Sequence, residues 1–239
     1  MRMERFHGVS IVYEDNHLLV VLKPPNMPTQ ADASGDADLH STMKAYLAGK
    51  YQKPGAVYLG LVHRLDRPVG GLMVLARTSK AAQRLSAQVR ERTLSRQYVA
   101  AVRGQAPEQG ELTDWLIKDE RTHTVHVAPP GTPGARPARL RFARAGCASG
   151  LTLLRVKLYT GRSHQIRVQL SHAGWPIWGD ARYGAGQPGQ QIALWGAHLG
   201  LMHPTRKEEM RFDCLPPREQ APWSAFFPDG FDREGRIFL

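Results

Sequence analysis

Apolar and polar positions along this chain form many short β-type runs and a few helical ones. Val9–Tyr13 and Leu18–Leu22 are β-rich and separated by Glu14-Asp15-Asn16-His17, which predicts a hairpin. Asp38–Lys50 reads as a helix. Val57–His63 and Leu72–Arg77 are apolar runs that bracket a charged loop. Within Ser79–Arg92, Ala82, Leu85 and Val89 recur at helical spacing, with Ser79 as the expected N-cap. Gln97–Arg103, Leu140–Ala145, Leu151–Tyr159, Ile192–Leu199 and Glu209–Phe212 read as strands. Ser163–His172 reads as a short helix, capped by Ser163 and stopped by Gly174 and Pro176. Strands and helices do not alternate strictly. The pattern therefore predicts an α+β fold: a mixed, largely antiparallel β-sheet with helices packed on it. The irregular stretches Lys23–Gly35, Ala128–Pro137 and Tyr183–Gln190 are too short for a domain linker. A single domain over residues 1–239 is expected.

Composition narrows the class. Hydrophobic residues are 42% of the chain, enough for a proper core. No stretch approaches the ~18 apolar residues of a membrane span. The first residues, with Arg2, Glu4 and Arg5, lack the apolar run of a secretory signal. A cytoplasmic protein without a membrane partner is expected, with Cys147 and Cys214 as reduced thiols. His123 and His126 have no further ligands at zinc spacing and read as ordinary strand histidines, so no metal site is expected. The 32 basic residues outnumber 21 acidic ones, for a net charge of +11 and a pI near 10. Such a balance points to a polyanionic partner. Of the basic residues 24 are Arg and 8 are Lys. Arg forks onto phosphate and stacks on bases, which favours RNA.

The densest chemistry lies in Leu61–Ala76, where Arg64, Asp66 and Arg67 fall within four residues. Pro68 stiffens this loop, and Gly70-Gly71 permits a tight turn. A carboxylate held beside guanidinium groups stays ionised and oriented. Read from the residues alone, the loop fits a surface ion-pair turn better than a reactive site, though such sites do sit on loops carried by a rigid scaffold.

Three segments, in order, resemble the motifs of RluA-type pseudouridine synthases. The first is His63-Arg64-Leu65-Asp66, followed by a glycine turn and an apolar strand ending at Ala76. The second is Arg96-Gln97-Tyr98 through Gly104. The third is Thr160-Gly161-Arg162-Ser163-His164-Gln165-Ile166-Arg167, continuing through Gly174–Asp180 to Tyr183-Gly184. His198 to Pro217 is similar to the family's closing strands, so the resemblance covers about residues 9–217. Val69-Gly70 replaces the family's usual Thr-Ser, and Gln169 stands where many relatives carry His. No S4-like RNA-binding domain precedes the catalytic region in this sequence. Recognition of RNA is then expected from the catalytic domain itself or from a partner.

The resemblance implies an enzyme that isomerises uridine to pseudouridine in folded ribosomal or transfer RNA, as a monomer and without a small-molecule cofactor. That reaction breaks the N1–C1′ bond, turns the uracil and rejoins it through C5. Asp66 would be the catalytic carboxylate, charged in both the covalent and the acid–base course. Arg167 would orient Asp66 through a bidentate pair. Tyr98 would stack on the target base. Arg64 would fill the space left by the flipped nucleotide, or else serve as a second ion-pair partner of Asp66. Arg162 would meet phosphate at the start of the Ser163 helix, or else stand as an ordinary loop arginine. His63 and His164 read as structural hydrogen-bonding residues. The alternative function is a non-catalytic RNA-binding or RNA-folding module on the same scaffold. Phosphate binding alone needs neither Asp66 nor Tyr98, which weighs against it. A nucleoside or sugar hydrolase would want paired carboxylates, and the loop holds one. A metal-dependent nuclease would want an Asp/Glu cluster, and the sequence has none.

Overall fold

The computed structural model describes residues 4–52, 54–187 and 189–226. The parts of the expected 1–239 domain outside those ranges, and the start of the N-terminal reading, lie outside the described residues. In chain order the elements are β1 (Glu4–Phe6), β2 (Val9–Glu14), β3 (Leu18–Lys23), α1 (Leu39–Tyr51), β4 (Gly60–Leu61), β5 (Gly70–Ala76), α2 (Ser79–Arg90) and β6 (Ser95–Arg103). They continue with β7 (Gln109–Asp119), β8 (Thr124–Ala128), β9 (Arg136–Ala148), β10 (Leu151–Leu158), α3 (Gln165–His172), β11 (Leu194–Met202) and β12 (Glu209–Asp213). The chain gathers into two compact units, Met1–Ser95 with His198–Cys214, and Arg96–Ala197 with Leu215–Leu239.

In the first unit β1, β2, β3 and β5 form an antiparallel ladder, and the short β4 also pairs with β5. The expected hairpin is β2–β3. Asp15 closes it, its carboxylate accepting from the backbone of His17 and Leu18 at 2.8 and 2.7 Å. All seven residues of β5 are buried, so its sequence is a continuous apolar run. Leu18, Val20, Leu72, Val74, Ala81, Leu85, Leu94, Leu199 and Leu201 form one core beneath α2. The sequence places the cap of α2 one residue late: Thr78 is the N-cap, its hydroxyl accepting from Ala81 N at 3.1 Å. Asp38 caps α1 in the same way, accepting from Ser41 N at 2.9 Å. The last five residues of β11 pair antiparallel with β12.

The second unit orders its strands β6-β10-β9-β7-β8, again antiparallel. Sequence reading passes over β7, and of β8 it has only His126, taken with His123 as an ordinary strand histidine. The β7 run carries Gly110, Glu111, Asp114, Lys118 and Asp119 with a single buried position, and such residues are depleted in strands unless pairing imposes the conformation, while β8 is only the five-residue run Thr-Val-His-Val-Ala. Here β9, which starts at Arg136 and extends the expected Leu140–Ala145 strand in both directions, supplies the partner for β7. The third helix starts at Gln165, not at Ser163. His164 at its head adopts the left-handed conformation, φ 53°, and Ser163 does not cap it. Its C-terminus is closed as expected at Gly174, with φ +87° and bonds Gly174 N to Ser171 O and Trp175 N to Leu170 O. This is a Schellman closure, in which glycine relieves the backbone strain. Each unit is a mostly antiparallel sheet with helices beside it, the α+β pattern that the sequence predicts. Cys147 is exposed, Cys214 is partly buried, and both are free thiols. His126 lies in β8 and His123 in the turn before it.

Candidate active site

The motif residues of the first unit converge on the loop between β4 and β5. Asp66 is half-buried at its tip, between the exposed Arg64 and Arg67. The backbone around Asp66 is anchored almost residue by residue. His63 is buried, and its Nε2 accepts from Val74 N at 3.1 Å. That bond fixes the proton on Nδ1. Leu65 O accepts from the buried Thr29 hydroxyl at 2.8 Å. Asp66 O accepts from Val69 N at 3.0 Å, closing a turn across Arg67-Pro68. Val69, in place of the family's polar residue, is buried. Gly71, the second residue of β5, has φ 133°, in the region that favours glycine.

The fourth anchor is a residue that sequence reading passes over. Lys23 ends β3 opposite Gly71 and is fully buried. Its Nζ donates to Pro24 O at 2.9 Å, Met27 O at 2.7 Å and Arg67 O at 3.1 Å. Burial pushes its pKa down to about 7, an effect opposed by the charge of Asp66 and reinforced by that of Arg67. Three carbonyl acceptors match the three N–H groups of an ammonium, so the bonded arrangement is that of the charged form. The available signal was a single Lys at the end of the apolar run Leu18–Leu22 and just before Pro24-Pro25. Arg67 does not engage Asp66 in a described bond. Its guanidinium turns to the loop below, donating to Ser34 Oγ at 2.9 Å and pairing with Asp36 and, at 3.7 Å, with Asp32. All these groups are exposed, so the pairs orient Arg67 more than they stabilise the fold.

The second unit carries Tyr98, Arg162 and Arg167. Tyr98 is buried in β6 opposite Val156. Arg167 is buried on α3, and its Nε and Nη2 fork onto Asp180 Oδ2 and Oδ1, each at 2.8 Å. The motif resemblance assigns Asp180 no role, yet it is 1% exposed and takes one fork edge of the arginine expected to serve Asp66. Burial raises the pKa of Asp180, but Arg167 and the amides of Tyr183 and Arg182 outweigh it and hold the carboxyl below its ordinary range. Tyr183 braces the same cluster. Its hydroxyl meets His164 Nδ1 at 2.6 Å and accepts from Val125 N at 2.9 Å, while its ring lies 5.0 Å from the Arg167 guanidinium carbon. Arg162 is exposed, and its Nε donates to Pro137 O at 3.0 Å. Gln169, itself buried, donates to Asp114 at 2.7 Å and accepts from Gln165 at 3.0 Å.

A family model described as RNA pseudouridylate synthase matches residues 17–172. The ribosomal large subunit pseudouridine synthase D of Zymomonas mobilis is 32% identical over 223 residues, covering 88% of this chain and 70% of that protein. The ribosomal large subunit pseudouridine synthase C of Vibrio cholerae is 34% identical over 211 residues, covering 84% of this chain. This chain spans only 63% of the length of that relative. Among solved structures, the human RNA pseudouridylate synthase domain containing 4 superposes with a TM-score of 0.72 at 21% identity, over 87% of this chain and 89% of that one, a likeness of fold. The chain therefore belongs to the RNA pseudouridylate synthase family, in its RluA-type branch.

Proposed function

We propose that this chain is an RNA pseudouridine synthase that isomerises a uridine of structured RNA, with Asp66 as its catalytic carboxylate. The observation that carries this reading is the anchoring of the Asp66 loop by His63, Thr29, Lys23 and the Asp66–Val69 turn. A surface ion-pair turn needs none of that buried support, and Arg67 spends its charge elsewhere. Catalytic groups act well only when held within a fraction of an ångström of productive geometry. Arg167, already fixed by Asp180, is assigned to orient the Asp66 carboxylate. Tyr98 is assigned to stack on the target uracil, and Arg64 to fill the helix space that base flipping opens. Arg162 is assigned to phosphate. The names of the relatives favour large-subunit ribosomal RNA as the substrate, with transfer RNA as the alternative. The protein acts as a monomer in the cytoplasm and requires no small-molecule cofactor. Among the described residues no helix is long and apolar enough to cross a membrane.

The test is turnover on unmodified ribosomal and transfer RNA transcripts, read by chemical labelling of pseudouridine. The wild type should modify a defined uridine. Asp66→Asn should abolish modification while keeping RNA affinity within about tenfold, since one carboxylate near a phosphate-binding surface adds little attraction. Turnover by Asp66→Asn would reject the assigned role. RNA binding by a wild type that modifies no transcript would support the non-catalytic module instead.

A further inference from the structure

Arg96 is the first residue of the Arg96-Gln97-Tyr98 motif, and the assignments above leave it unused. Side chains two apart on a strand project to the same face, so Arg96 and Tyr98 share one face of β6. The guanidinium of Arg96 packs on the backbone of Gly161, at the Thr160-Gly161-Arg162 turn that precedes α3. A Cβ at Gly161 would lie 3.0 Å from Arg96 Nη1 and 3.2 Å from Nη2. Gly161 is not among the positive-φ glycines, so its missing side chain serves this approach and not a turn conformation.

Among the described residues, no hydrogen bond or ion pair engages the Arg96 guanidinium, and its Nε is buried without an acceptor. An unpaired guanidinium N–H removed from water is costly, and folded proteins rarely leave one. The groups around the turn have their own partners. Arg162 Nε donates to Pro137 O at 3.0 Å. Thr160 Oγ1 donates to Gln165 Oε1 at 2.7 Å, and Arg139 forks onto Glu111. Arg96 is only partly buried, so a ligand can reach its outer nitrogens.

We propose that Arg96 is a substrate-binding residue that takes a backbone phosphate of the RNA, next to the uridine that Tyr98 receives. A planar fork held flat on a glycine is pre-organised for a phosphodiester, whose two free oxygens accept both N–H groups. The proposal rests on the pseudouridine synthase reading and adds an anion site that the motif residues alone do not assign. Gly161 is the plate that keeps the fork in place.

The test is binding of an unmodified large-subunit ribosomal RNA transcript at several salt concentrations, with turnover measured on the same samples. Arg96→Ala should weaken binding roughly tenfold at low salt, as loss of one charge-assisted hydrogen-bonding group does. It should also reduce the slope of log affinity against log salt by about one counterion. Arg96→Lys should keep the slope but lose much of the affinity, because an ammonium cannot fork. Gly161→Ala should reproduce that loss of affinity with the charge still present. An unchanged affinity and slope in Arg96→Ala, in a variant whose circular dichroism matches the wild type, would overturn the proposal and leave Arg96 as packing for the turn. Weaker binding in Arg96→Ala with an undiminished slope would overturn it as well. Failure of the enzyme reading is separate: it would show as absent turnover in the wild type, whatever Arg96 does to binding.

Discussion

The Lys23 ammonium donates at 3.1 Å to the carbonyl of Arg67, the residue directly after Asp66. A side chain from the end of β3 thus grips the loop that opens into β5, across 44 residues of chain. The same nitrogen also ties down Pro24 and Met27. Two of its three bonds are thus local, and the third, to Arg67, is the long-range contact that ties it to the Asp66 loop.

Lys23 should therefore act as a positioning residue. Lys23→Met keeps the aliphatic stem but removes the grip on Arg67 O, and should lower kcat about 10- to 100-fold with a smaller change in KM, the cost of a loosened catalytic geometry. Steady-state kinetics on a transcript substrate checks this. Equal losses in stability and binding with kcat preserved would contradict it.

The same lysine gives a pH signature. Its folded pKa is about 7, against about 10 in an unfolded chain. Between those values the unfolded chain binds more protons, so the contribution of Lys23 to stability rises with pH from about 7 to about 10 and is flat below 7. Urea unfolding across this range should show a rise in the wild type that is reduced in Lys23→Met.

The Arg167–Asp180 pair is buried on both sides, with side-chain exposures of 7% and 1%. Asp180→Ala removes one partner and should cost about 3–5 kcal/mol, the usual result of stranding a buried charge. Because the Asp180 carboxyl titrates below its ordinary range, its contribution is complete above about pH 4 and is lost as pH falls through the lowered folded value. Chemical unfolding at pH 7 and at pH 3 distinguishes the two regimes: the gap between wild type and Asp180→Ala should shrink at the lower pH.

Gly179 has φ +75°, and a Cβ there would lie 2.3 Å from Gln191 O. Gly179→Ala should destabilise by about 2 kcal/mol or more, through backbone strain and collision with a carbonyl. Gly131, with φ +84° and open space around it, should lose only the strain part. Thermal unfolding of the two variants separates the terms.

Capping offers a small, sharp comparison. Thr78→Ala removes the bond to Ala81 N and should cost about 1 kcal/mol, whereas Ser79→Ala should be nearly neutral. Matched thermal melts of the two variants decide between the residues.

The sequence by itself determined the strands whose apolar runs bury both faces, such as β3 and β5, and the helices α1 and α2 with their apolar spacing, because local pattern and propensity agree there. It also carried the three motifs in order, and with them the expectation that Asp66, Tyr98 and Arg167 serve the site. Tertiary structure decided what local pattern could not carry. The polar strand β7 exists through pairing, with β9 on one side and β8 on the other. The head of α3 moved from Ser163 to a left-handed His164 whose ring is held by Tyr183. Lys23, Thr29 and Asp180 took their roles from atoms far away in sequence, and Arg96 is singled out by a neighbouring glycine 65 positions on. The physical reason is common to all of them: the partner of a buried polar group is fixed by the packing of distant segments, and neither periodicity nor propensity along the chain records which atom will be waiting there.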